Sequence, residues 1–113
     1  MERIKGWIPD FKRKRFFFGE IIIDGEIKLG LEALEKHHQD SQTEHHFILP
    51  GLVDAHVHIE SSMLIPSVFA REVLKFGTLA CVSDPHEIAN VLGVEGITFM
   101  IKDAEKTPLK ISF

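Results

Sequence analysis

The sequence predicts an α/β protein in two dissimilar parts, an antiparallel β-rich segment followed by the opening units of a parallel β/α sheet. Three observations carry this. First, residues 16–30, FFFGEIIIDGEIKLG, set two β-rich arms about Asp24-Gly25. That dipeptide suits a two-residue turn with positive φ at both positions and predicts a hairpin. Second, from Pro50 the pattern becomes strand, helix, strand, helix, strand, which builds parallel βαβ units with right-handed crossovers. Third, three such strands fall short of the eight of a closed (β/α)8 barrel, which takes roughly 200 residues or more. The 113-residue chain is therefore expected to be a fragment, ending inside a strand pattern and divided near Pro50 into segments 1–49 and 50–113.

The elements follow in order. The basic run Lys12 to Arg15 precedes the hairpin and reads as a solvated face or strand lead-in rather than a phosphate-binding patch. After Gly30 the chain is polar, with a short helix expected over Leu31 to Lys36 and then a loop. Its histidine pairs, His37-His38 and His45-His46, are expected to be solvated. FILP gives a short strand and a Pro50-Gly51 turn, and a longer strand runs from about Leu52 to Ile59. A helix starts at Pro66, whose fixed φ suits a first turn, and stops at Gly77, with Val68, Phe69, Val73 and Phe76 on one side. TLACVS is a strand. VEGITFMIKDAEK is a second helix, with Val94, Ile97, Ile101 and Ala104 at helical spacing, and LKISF starts the last strand.

Composition excludes several classes of function. With 44% hydrophobic and 27% charged residues the chain is a globular type, and a net charge of −4 gives no general attraction to nucleic acid or anionic membrane. No window reaches the eighteen or so apolar residues of a membrane span. Glu20 and Asp24 interrupt the apolar stretch that would otherwise resemble a secretory leader. The single cysteine, Cys81, reads as a small buried hydrophobe with no base beside it, and a chain without an internal disulfide fits the cytoplasm.

The chemistry concentrates in two places. In DAHVHIESSM, side chains two apart on a strand share a face, so Asp54, His56, His58 and Glu60 are expected to form a polar stripe opposite Ala55, Val57 and Ile59. Polar groups in an apolar strand need compensation, since an unpaired one costs roughly 2–7 kcal/mol to bury. A divalent ion shared by His56 and His58 would supply it. The second cluster, SDPHE, ends the next strand. Strand C-termini are where α/β folds gather ligands, so Asp84, His86 and Glu87 are expected on the same rim. Asp84 is alternatively a helix N-cap, with Glu87 a favourable first-turn charge. Ser61 and Ser62 lack a nucleophile elbow and are expected to satisfy backbone groups, and GVEG (93–96) is not placed to cradle phosphate.

LPGLVDAHVHIESSM resembles the first barrel strand of the amidohydrolase superfamily, and its continuation with SDPHEIANVLGVEGI is similar to the adenine deaminase branch. The resemblance covers residues 47–113 closely and the hairpin loosely. It implies a partial TIM barrel preceded by part of a small N-terminal β-sandwich. It also implies hydrolytic deamination of adenine to hypoxanthine and ammonia in purine salvage, with metal-activated water as nucleophile at C6. His56 and His58 match the family's first two metal ligands; Glu60, Asp84, His86 and Glu87 match motif positions near the site, without assigned roles. Manganese is the first expectation for the metal, then iron, then zinc. The implied substrate is the purine base, and the implied full-length protein is a homo-oligomer. The remaining ligands belong to later strands, so this chain is expected to be inactive alone. The alternatives are a non-catalytic metal-binding or interaction module, or an amidohydrolase acting on another cyclic amide or amine.

Overall fold

The computed structural model of the chain describes residues 1–30 and 46–113, with the backbone alone for 26–30. The helix expected over Leu31 to Lys36 and the histidines His37, His38 and His45 lie outside the described residues. The chain divides into two compact units, Met1–Pro50 and Gly51–Phe113.

The first unit is an antiparallel sheet of β1 (Glu2–Asp10), β2 (Arg15–Asp24) and β3 (Glu26–Gly30), in that order. β1 was not expected, because Gly6 and Pro9 weaken its strand signal. It pairs with β2 along its whole length, from Glu2 opposite Ile23 to Asp10 opposite Arg15. Trp7 meets Phe18 edge-on at 5.6 Å. The basic run forms the exposed tip of this hairpin, where Asp10 accepts from Arg13 N (3.0 Å) and Nη1 (3.2 Å), and Lys14 takes φ 52°. The turn between β2 and β3 is tighter than the two-residue turn expected. Asp24 already pairs with Glu26, and Gly25 alone takes a positive φ, 72°. The short strand expected at 47–49 is reduced to one parallel bridge between Phe47 and Trp7. There Trp7 N donates to His46 O (2.8 Å) and Ile48 N to Trp7 O (2.9 Å).

The second unit is a parallel sheet of β4 (Leu52–Val57), β5 (Thr78–Ser83) and β6 (Lys110–Ser112), in chain order, with α1 (Pro66–Leu74) and α2 (His86–Ala104) as the connections. Its core is Ile59, Ala70, Cys81, Met100 and Leu109, with Val57, Phe69, Val73, Leu74, Ile88 and Ile111 packed against them. Pro66 begins α1 as expected, but Phe76 lies beyond the helix end and is 81% exposed rather than on its apolar side. α2 is interrupted at Gly93 (φ 60°, ψ −143°) and buries Gly96, Met100 and Asp103. The expected face of Val94, Ile97, Ile101 and Ala104 is therefore corrected, since Val94 and Ile101 are exposed. Apolar side chains occur on more than one side of this helix. The buried side is marked by a glycine and an aspartate, which apolar periodicity does not register.

Asp103 is buried because both carboxylate oxygens are used. Oδ2 accepts from Ser67 N (2.9 Å) in the first turn of α1, and Oδ1 accepts from Lys106 Nζ (2.8 Å). The N-cap of α1 is Ile65, which has no side-chain acceptor, so the neighbouring helix provides the cap. Among the described residues no helix is long and apolar enough to cross a membrane.

Candidate metal centre

Because β4 and β5 are parallel, their C-terminal ends lie on the same side of the sheet, and Asp84 N bonds to Val57 O at 3.1 Å where the ladder finishes. Two sets of polar side chains meet there. From β4 and the residue after it come His56 and His58, whose Nε2 atoms face each other at 3.1 Å with rings 84° apart. From the start of α2 come His86 and Glu87. The His86 ring stands edge-on to that of His58 at 4.7 Å.

The expected four-residue stripe holds only in part. Asp54 Oδ1 folds back to accept from His56 N (3.1 Å), and the β4–β5 register is irregular between Asp54 and Val57. β4 ends at Val57, and the chain turns through a 3-10 segment, Ile59–Ser62. Alternation stops there, so Glu60 is not on the strand face with the histidines. Its Oε1 instead accepts from Ile88 N (3.3 Å) in the first turn of α2, while Oε2 is buried without a partner among the described residues. Ile59 is fully buried and pins the turn.

Asp84 does not cap α2; the cap position is Pro85, with no side-chain bond to the helix. Asp84 orients two imidazoles instead. Its carbonyl oxygen lies 3.0 Å from His58 Nδ1, and its Oδ2 lies 3.1 Å from His86 Nδ1. Carbonyl and ionised carboxylate oxygens only accept, so both Nδ1 atoms are inferred to carry the proton. In neutral rings this leaves both Nε2 lone pairs available, the state a metal ligand requires.

Glu87 completes the cluster. His58, His86 and Glu87 each offer a ligand atom, all within 4.8 Å of one another, and form a possible metal site. Two imidazoles about 2.0–2.1 Å from one shared ion lie at most about 4.2 Å apart, so the 3.1 Å His56–His58 separation also fits a common ion. Imidazole and carboxylate together suit zinc, iron and manganese. The donors present thus fit a divalent cation.

One residue has more to do here than the sequence suggested. Ser62 Oγ bonds to backbone, Ile59 O at 2.6 Å, as expected. Ser61 Oγ instead donates to Glu87 Oε1 at 2.7 Å across 26 residues, a contact without any local sequence signal. Ser83 Oγ, just before Asp84, is buried without a partner among the described residues. Cys81 is buried in the core, and burial, followed by the charge of Asp54, pushes its thiol pKa up, consistent with a packing role.

Residues 47–113 match the model of the Amidohydrolase family. Over all 113 residues the chain is 54% identical to an adenine deaminase of Methanosarcina mazei, covering 19% of that protein. It is 44% identical to an adenine deaminase of Borreliella afzelii over 98% of this chain and 19% of that protein. With an adenine deaminase of Thermosipho africanus the identity is 64% over 67 residues, 59% of this chain and 12% of that protein. The chain spans about a fifth of the length of the curated relatives it matches along its whole length.

Proposed function

The chain belongs to the amidohydrolase family, and from that premise we propose that it is the N-terminal part of an adenine deaminase, contributing the first ligands of a metal-dependent site that converts adenine to hypoxanthine and ammonia. The observation that carries the metal-dependent part is the meeting of His58, His86 and Glu87 at the ends of two parallel strands, with an Asp84 oxygen within hydrogen-bonding distance of Nδ1 of both histidines. The choice of adenine is supported by the similarity to adenine deaminases along the whole chain.

In this reading residues 50–113 are the first β/α units of a (β/α)8 barrel and residues 1–49 part of a small β-sandwich. His56 and His58 hold the metal through Nε2, with manganese the first choice and iron or zinc the alternatives. A divalent ion at such a site lowers the pKa of water and so provides a nucleophile at neutral pH. Asp84 keeps His58 and His86 in the ligating tautomer. Glu60 ties the start of α2 to the end of β4, so the two halves of the site keep their spacing. His86 and Glu87 stand beside His58 and offer further ligand atoms to the same ion. The setting is purine salvage in the cytoplasm, and the partners are the purine base and the remaining barrel strands in a homo-oligomer.

The test is ammonia release from adenine with Mn2+, by the chain alone and mixed with a polypeptide carrying the rest of the barrel. Activity is expected in the mixture only and is abolished by His56→Ala. A silent mixture, with the chain folded and binding Mn2+, would instead make it a non-catalytic metal-binding module.

A further inference from the structure

The turn after β4 grips the start of α2 at successive points. His58 Nδ1 meets Asp84 O at 3.0 Å, Glu60 Oε1 meets Ile88 N at 3.3 Å, and Ser61 Oγ meets Glu87 Oε1 at 2.7 Å. Neighbouring residues of the turn, 60 and 61, thus hold neighbouring residues of the helix, 88 and 87. The turn itself is set by buried Ile59, by the Ser62 Oγ bond to Ile59 O at 2.6 Å, and by Met63 at φ 60° donating from N to Glu60 O at 2.8 Å. The Ser61 hydroxyl therefore stands at a fixed place when it meets the carboxylate.

We propose that Ser61 is a positioning residue that holds the Glu87 carboxylate beside His58 and His86 for cation binding. This rests on the reading of Glu87 as a metal-facing group. A free glutamate side chain explores many rotamers, and a ligand that must first be ordered binds its ion more weakly. Ser61 fixes one oxygen by a charge-assisted bond and removes much of that freedom before the ion arrives. Partners of this kind, one bond removed from a metal, typically change affinity 10–100-fold when deleted.

The experiment is Mn2+ titration of the whole chain, read as free Mn2+ by electron paramagnetic resonance, with circular dichroism confirming the fold of each variant. Ser61→Ala is expected to weaken binding by about tenfold or more, and Ser61→Thr, which keeps the hydroxyl, to restore most of it. Glu87→Gln is expected to weaken binding at least as much, and Ser61→Ala is expected to add little in the Glu87→Gln background. If Glu87→Gln weakens binding and Ser61→Ala does not, the role of Ser61 is overturned while that of Glu87 stands. If Glu87→Gln leaves binding unchanged, Glu87 is not metal-facing, and the inference falls with that premise. If both single variants weaken binding and their effects simply add, Ser61 acts elsewhere and the proposal is likewise overturned.

Discussion

Replacing Asp103 tests how the helices that frame the site are held together. Its carboxylate joins the first turn of α1 to the last turns of α2, through Ser67 N at 2.9 Å and Lys106 Nζ at 2.8 Å. In Asp103→Ala the Ser67 N–H, which is part-buried, loses its acceptor, at about 1–3 kcal/mol. The Lys106 ammonium is 66% exposed, so its ion pair adds only about 0–1 kcal/mol. Asp103→Ala should therefore cost about 1–4 kcal/mol. Asp103→Asn, which keeps an oxygen for Ser67, should cost about 1 kcal/mol. The pH dependence has a definite sign. The Lys106 bond first and the Ser67 N–H second hold the Asp103 carboxyl below its ordinary 3.8, and burial opposes them. A depressed pKa means that the unfolded chain takes up the proton first as pH falls. The stabilisation is then fully present well above 3.8 and is lost as pH drops from there through the folded value. Urea unfolding followed by the far-ultraviolet helix signal should thus show wild type and Asp103→Asn separated at neutral pH and converging in acid. A loss below about 0.5 kcal/mol for Asp103→Ala, or a wild-type-to-Asn gap unchanged in acid, would refute the capping argument.

Further consequences can be measured on the same chain. A Cβ on Gly96 would stand 2.9 Å from Ile88 O, so Gly96→Ala should cost about 1–2 kcal/mol in urea unfolding despite its better helix propensity, and should weaken Mn2+ binding through the displaced first turn of α2. On Gly6 a Cβ would stand 2.7 Å from the backbone oxygen of His46, so Gly6→Ala should destabilise the first unit by about 1–3 kcal/mol, read by fluorescence of the single tryptophan, Trp7 in β1. Cys81, 2% exposed, should react with a thiol reagent only in denaturant, and rapid native labelling would contradict its place in the core.

The sequence exposes the site better than the packing around it. His56 and His58 are visible because chemistry of that type at a two-residue spacing is unusual in an apolar strand, and His86 and Glu87 because they follow the next strand directly. Strand alternation does not locate Glu60, because beyond Val57 a four-residue 3-10 turn intervenes and changes the direction of the side chains after it. The role of Asp84 was equally hidden. It acts through one backbone and one side-chain oxygen on rings contributed by two different elements, and no local pattern records that. The buried face of α2 escapes apolar periodicity because Gly96 has no side chain and Asp103 is buried only through its bonds to Ser67 and Lys106. β1 carries little strand signal of its own, because its strand character depends on partners in β2 that a window over residues 2–10 does not contain.

The contacts at 58–84, 60–88 and 61–87 all close the same stretch of chain, each spanning 26 to 28 residues. Bringing the ends of such a stretch together costs about 3 kcal/mol in lost chain freedom beyond a constant, and that cost is incurred once. Whichever contact forms first bears it, and the others then form between groups already adjacent. They should therefore appear and disappear together, so that the histidine cluster exists either whole or not at all, and pairs of substitutions among these residues should depart from additivity.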